Sequence, residues 1–158
     1  MKKFTISLRI CSFTLLCAVF LSFSSYGPTE EEAVYVQQKL YNHYNAEVSG
    51  KSIKKYELHV TNTGFCRYKC FFTNGKIEYF SFNLLKYKEM DYAGTTQTGT
   101  LILRTQGDDV IVQTYNDSKG EDVDSMATFM VIPLKNIEPE ELNDLAEKFQ
   151  RMSAKLHQ

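Results

Sequence analysis

The feature that most constrains the fold of this chain is a set of segments with apolar residues at every second position, separated by tight turns. This alternation runs through residues 56–60, 65–72 and 77–85. Because successive side chains of a strand point to opposite faces of a sheet, it predicts strands with one buried face. Asn74-Gly75 separates the last two segments and favours a hairpin turn, since both residues tolerate positive φ. We therefore expect an antiparallel sheet here.

Three further strands are predicted closer to the C-terminus. Residues 100–105 and 110–115 are expected to pair through a turn at Gln106-Gly107-Asp108, and a last apolar strand is expected at 126–134. Pro133 indicates that this last strand ends there or lies at a sheet edge, because proline has no N–H to donate to a neighbouring strand.

Two helices are predicted to flank the strands. Thr29 is expected to cap the first helix in a capping box with Glu32, and this helix should end near Asn45. Pro139 suits the first turn of the second helix. Its apolar residues follow helical spacing at 142, 145, 146, 149, 152 and 156. The fold class is therefore α+β: an N-terminal helix, an antiparallel β-meander of about six strands, and a C-terminal amphipathic helix packed on the sheet.

The N-terminus has the order of a secretory signal. Basic residues precede an uncharged apolar stretch, Ile10–Phe23, and Ser22-Phe23-Ser24 offers a small-residue cleavage site. The stretch is about 14 residues long, whereas a membrane-spanning helix needs about 20. We expect a signal peptide at 1–24 and a single exported domain at 25–158, in the periplasm or outside the cell. Membrane contact is expected only if the signal is retained or if Cys17 is lipidated, and Leu16 before it departs from the small residue that lipidation requires.

The charge balance argues against a nucleic-acid partner. The 18 Lys and Arg of the chain include Lys2, Lys3 and Arg9, which leaves 15 after cleavage against 19 Asp and Glu. A nucleic-acid-binding domain shows a basic patch or stripe instead.

Cys66 and Cys70 are the two cysteines that remain after cleavage of the predicted signal. Residues four apart on a strand are about 13 Å apart, whereas bridged Cα atoms are rarely more than about 7 Å apart. The sequence therefore predicts two buried thiols, with a disulfide between them unlikely in a regular strand. A bridge across a bulge, an intermolecular bond and a metal role remain alternatives.

An acidic, flexible loop is predicted at residues 116–125. Oxygen ligands around a glycine turn can bind Ca²⁺, and Asp117, Glu121, Asp122 and Asp124 are the weak candidates for such a site. Lys119 among them and the absence of the EF-hand spacing favour a solvated loop. No local catalytic or cofactor-binding motif is recognisable in the sequence, so no cofactor is predicted and an enzyme is not the favoured class.

The aromatic residues supply the remaining functional hypothesis. Tyr79, Tyr87, Tyr92 and Tyr115 fall in or beside the predicted strands, and tyrosines that two helices leave uncovered could bind a partner protein. The alternative for these residues is a sheet with a core on both faces.

The order of a helix followed by antiparallel strands resembles cystatin-type domains, but the Gln-x-Val-x-Gly motif is absent and the final helix is additional. The chain as a whole also resembles small exported envelope proteins of Gram-negative bacteria. We therefore expect a non-enzymatic binding or structural module, such as an accessory subunit of an envelope or secretion assembly, with another envelope protein as partner. The alternative is a small ligand-binding or hydrolytic protein whose pocket is built by the sheet and an irregular link at residues 86–99.

Overall fold

A computed structural model describes residues 29–47, 53–118 and 120–158. The predicted signal peptide and Cys17 lie outside the described residues. Two helices, which we label α1 and α2, flank eight strands and one short 3-10 helix at Leu84–Lys86. The helices and strands are α1 Glu30–His43, β1 Ile53–Val60, β2 Phe65–Phe72, β3 Ile77–Asn83, β4 Tyr87–Gly94, β5 Thr98–Thr105, β6 Val110–Tyr115, β7 Val123–Ala127, β8 Phe129–Lys135 and α2 Pro139–Leu156.

The predicted α+β class is confirmed, with eight strands where about six were expected. They form an antiparallel five-stranded sheet in the order β1-β2-β3-β6-β7 and an antiparallel three-stranded sheet in the order β4-β5-β8. The tight turn at Asn74-Gly75 joins β2 to β3 as predicted, and Gly75 has a φ of 87°.

The two sheets meet along a hydrogen-bonded crease. The chain crosses from one sheet to the other three times at this crease: between β3 and β4, between β5 and β6, and between β7 and β8. The Gln106 N–H donates to the Lys86 carbonyl at 2.9 Å, and the Thr105 N–H donates to the Thr128 carbonyl at 2.9 Å. The two sheets are therefore connected along the chain three times, through residues 84–86, residues 106–109 and Thr128.

The crease corrects the predicted hairpin between residues 100–105 and 110–115. These segments are β5 and β6, which lie in different sheets, so residues 106–109 link the sheets instead of closing a turn between paired strands. The turn-forming composition of this segment accommodates the bend. The predicted irregular link at 86–99 is also wrong, because it contains β4 and the start of β5, paired as a hairpin.

The loop predicted at 116–125 is shorter than expected. Its last residues begin β7, and Thr128 divides the expected final strand into β7 and β8. Pro133 lies on β8 at the edge of the smaller sheet, as predicted, where its carbonyl accepts the Asn45 N–H at 3.0 Å.

The core lies between the two sheets and the two helices. Alternate residues of β1 and β2 point into it, as the sequence pattern predicts, and α2 contributes Leu145, Phe149 and Met152 from one apolar stripe. The helices also pair with each other through Lys39 with Glu141 and through Lys155 with Glu32, the latter at 2.6 Å. None of the helices in the described ranges is both long enough and apolar enough to span a membrane.

Helix α1 also protects the free edge of β1. The Gln37 side chain donates to the Leu58 carbonyl at 2.6 Å and accepts the Val60 N–H at 2.7 Å. The Thr29 hydroxyl donates to the Asn62 carbonyl. Thr29 makes no side-chain capping bond to its own helix. The predicted capping box at this residue is therefore wrong, because the hydroxyl is engaged in a tertiary contact.

Candidate functional site

The larger sheet has one face in the core and one face outside it. Side chains of directly opposed residues in neighbouring strands lie on the same face, so the strand register defines both faces. The inner face carries core residues such as Leu58, Tyr68 and Phe82. We call the opposite side the outer face; it carries Lys55, Glu57, His59, Phe65, Arg67, Lys69, Phe71, Ile77, Tyr79, Ser81, Ile111, Gln113, Tyr115, Asp124 and Met126.

Seven of the fifteen outer-face residues named above are apolar or aromatic, and the main helix contacts lie on the other side of the sheet. The helices contact β1, β4, β8 and the 3-10 helix, or one another, and these contacts lie on the core side. Large apolar side chains on the outer face remain exposed, with relative exposures of 37% for Phe65, 40% for Ile111, 37% for Tyr115 and 52% for Met126. Ile111 and Met126 lie directly opposite each other on β6 and β7, and neighbouring exposed apolar residues can mark an interaction site.

Cations lie over the aromatic rings at the β2 side of the outer face. The Lys55 and Lys69 ammonium groups lie 5.2 and 4.9 Å from the ring centroid of Phe71, and the Arg67 guanidinium lies 4.8 Å from that of Phe65. Such contacts contribute about 0.5–1 kcal/mol at exposed sites. The cations therefore hold these rings covered only weakly. A partner that packs on Phe65 and Phe71 could move the cations aside.

The β7 side of the outer face has the opposite charge. Asp124 points outward beside Gln113. Asp122, just before β7, accepts the Asn116 N–H at 2.8 Å. This hydrogen bond holds the Asp122 carboxylate beside the end of β6. The outer face is thus basic at β2, where Glu57 of the neighbouring β1 lies opposite Lys69 and pairs with Lys55 at 2.6 Å, and it is acidic at β7. Ile77, Tyr79 and Tyr115 lie in the zone between them.

The structure brings two of the four candidate tyrosines together. Tyr79 is half-buried opposite Gln113, and Tyr115 is exposed opposite Ile77 in the same pair of strands, β3 and β6.

The other two candidate tyrosines lie on the core side of the smaller sheet. Tyr87 is buried and stacks on Phe149 with ring centroids 5.8 Å apart, and burial raises its pKa to about 12. Tyr92 packs over Gly99, where any side chain would clash with its ring, and its hydroxyl donates to the Thr95 carbonyl at 2.8 Å. We therefore do not include Tyr87 and Tyr92 in the candidate surface.

Comparison with protein-family models, curated proteins and solved structures found no match. Functional inference for this chain therefore rests on its own residues.

A buried cluster of tyrosines and thiols lies on the inner face, behind the candidate surface. The Tyr44 and Tyr68 hydroxyls are 2.7 Å apart, and the Tyr44 ring stacks on Tyr56 at 3.7 Å. Burial raises the pKa of both Tyr44 and Tyr68, and it raises the pKa of Cys66 to about 12. These groups stay protonated at neutral pH, so none of the three supplies a thiolate or phenolate nucleophile. Their arrangement fits a packing role.

Both Cys66 and Cys70 are buried on the inner face of β2, and they are not joined by a disulfide. They share this face with Tyr68 and Phe72, in the stripe that the sequence predicts. Their surroundings are those of inert core thiols, since a reactive cysteine needs exposure and a nearby positive charge.

Two of the four acidic residues considered for Ca²⁺, Asp117 and Asp122, are engaged in other contacts. Asp117 pairs with Lys76 at 3.0 Å, and Asp122 accepts a main-chain N–H. Apart from the undescribed residues, among them Lys119, the chain holds no group of three or more His, Cys, Asp or Glu residues placed to bind a metal ion. The Ca²⁺ hypothesis stays a prediction without structural support, and we do not carry it further.

Sequence reasoning missed Arg67 and Lys69 as members of the candidate surface. Their signal was present in the alternation of β2, because residues 65, 67, 69 and 71 must share one face if Cys66, Tyr68, Cys70 and Phe72 share the other. The opposing acidic side could not be found this way, because the pairing of β6 with β3 joins segments far apart in the chain.

Proposed function

We propose that this chain is a non-enzymatic protein-binding module, exported to the cell envelope, and that the outer face of the larger sheet is its binding surface. The observation that carries the proposal is the combination of exposed Phe65, Ile111, Tyr115 and Met126 with charges of opposite sign at the two sides of one sheet face. Export is supported by the basic and apolar order of the N-terminal residues.

The chemistry of the surface favours a protein partner. Tyrosine, phenylalanine, methionine and arginine are enriched in protein interfaces, and charged side chains usually form the rim around an apolar centre. The outer face has this layout, with Ile77 and Tyr79 in the middle strand and Lys55 and Asp124 at the two sides.

Photo-crosslinking in intact cells tests the proposal. A benzoylphenylalanine at Tyr79 or Tyr115 is expected to form a covalent adduct with a partner chain when irradiated. The matched control is the same substitution at Tyr41, which is 61% exposed on α1, away from the outer face. Adducts at Tyr79 and Tyr115 but not at Tyr41 are the expected result. Absence of adducts at both outer-face positions, or an equal yield at Tyr41, would overturn the proposal.

A further inference from the structure

We propose that the outer face binds a second copy of this chain, two outer faces packing together around a twofold axis that runs parallel to the strands between β3 and β6. This inference rests on the proposed function, because it names the partner of the same surface. Two sheets can pack face to face about 10 Å apart with their strands within about 30° of each other.

The charge distribution supports this occupant. A partner of the outer face must present acidic groups opposite β2 and basic groups opposite β7. The outer face itself meets this demand when it is rotated by 180° about an axis along the strands, because that rotation places β2 over the β7 of the second copy. Rotation about an axis across the strands would instead place Lys69 against the same lysine, and like charges in contact are unfavourable.

The register shows which residues would meet. Lys69, Tyr79, Gln113 and Asp124 form one row across β2, β3, β6 and β7. The rotation places Lys69 over Asp124 of the second copy and Tyr79 over Gln113. In the neighbouring rows it places Ile77 over Tyr115 and Ser81 over Ile111. The apolar and aromatic residues of β3 and β6 therefore meet the same two strands of the second copy, beside Gln113 and Ser81, with one pair of Lys69 and Asp124 at each side.

The size of the face limits the surface that this dimer can bury. Four strands about 4.8 Å apart, each contributing about six residues of about 3.4 Å, span roughly 400 Å² in each copy. The rotation leaves β1 beyond the edge of the second copy, so the two faces together cover roughly 800 Å², below the total of about 1,000 Å² expected of a stable specific interface. A weak, reversible dimer is therefore expected.

Charge reversal tests the arrangement. Lys69→Glu and Asp124→Lys each place like charges together in the dimer, and each is expected to weaken self-association at least tenfold in sedimentation velocity of the purified protein. An equimolar mixture of the two variants is expected to dimerise again, because the mixed dimer has the native pair of Lys69 with Asp124 on one side and pairs the two substituted side chains, with their signs exchanged, on the other. Lys88→Glu on β4, in the smaller sheet, is the matched control and is expected to dimerise like the wild type.

The outcomes separate this inference from the proposed function. A wild-type chain that stays monomeric at about 100 μM overturns the second copy as partner, and so does a mixture that fails to dimerise while both variants keep their native circular dichroism. A dimer that neither single variant weakens overturns it too. Tyr79 and Tyr115 adducts with a different protein, found by the photo-crosslinking above, would then leave the binding surface itself standing. Absence of adducts at both positions would remove the surface and the dimer together.

Discussion

The two faces of the larger sheet are built from the same strands but are stabilised in different ways. On β2, the inner residues Cys66, Tyr68, Cys70 and Phe72 are buried against the rest of the core. The outer residues Phe65, Arg67, Lys69 and Phe71 alternate with them, and the cations lie over the rings. Core burial stabilises the inner aromatic residues. The outer aromatic residues are covered only by the side chains of Lys55, Arg67 and Lys69, so we expect them to contribute to association more than to folding.

Two adjacent phenylalanines test this difference with the largest expected effect. Phe72→Ala should lower the free energy of unfolding by about 3 kcal/mol or more, because it leaves a cavity in the core. Phe71→Ala should lower it by about 1 kcal/mol or less, since a partly exposed ring loses mainly its cation contacts. Denaturant midpoints of the purified variants measure both. Equal losses at the two positions would contradict the distinction between the faces.

Two tyrosines sharpen the comparison at the level of single hydroxyl groups. Tyr68→Phe removes the buried partner of the Tyr44 hydroxyl, which is 2.7 Å away, and should cost about 1–3 kcal/mol of stability. Tyr79→Phe on the outer face should change stability by less than about 0.5 kcal/mol, as is usual for surface substitutions. Thermal unfolding followed by circular dichroism compares the two variants. A larger loss for Tyr79→Phe would place that hydroxyl in a structural role.

Alkaline pH should destabilise the inner face through Cys66. Its folded pKa of about 12 lies above the ordinary value of 9.0 because the thiol is buried. Between these two values the unfolded chain has lost the proton that the folded chain retains, so stability falls as pH rises, by on the order of 1 kcal/mol per pH unit. Below pH 9 the group contributes no pH dependence. Denaturant unfolding at pH 8 and pH 10 should show a smaller loss in Cys66→Ala than in the wild type, and an identical loss would refute this burial effect.

The sequence predicted the helices and the first three strands well because their patterns are local. The stripe through Leu145, Phe149 and Met152 needs only helical spacing, and the hairpin at Asn74-Gly75 needs only two residues. Strand β4 was missed because the register shifts between Tyr87 and Glu89. That shift moves the alternation by one position and removes the period of two from the sequence.

The candidate site was only partly predictable for a related reason. Tyr79 and Tyr115 were selected by residue type, but only the pairing of β3 with β6 places them together. Tyr87 was selected by the same criterion, and it is buried because α2 brings Phe149 over it. Neither the pairing of β3 with β6 nor the contact of Phe149 with Tyr87 is indicated by the residues next to these tyrosines in the sequence. Residue type alone therefore cannot separate a surface tyrosine from a core tyrosine.

Site-directed cysteine crosslinking tests the pairing of two outer faces most directly. Tyr79→Cys and Gln113→Cys are made in separate chains, mixed and treated with a bismaleimide whose reach matches the spacing of about 10 Å between packed sheets; the native Cys66 and Cys70 are buried and should not compete. The two positions face each other across the proposed axis, so the mixture should form a covalent heterodimer faster than a Tyr41→Cys control links to itself. Crosslinking of the mixture no faster than that of the Tyr41→Cys control would contradict the proposed association.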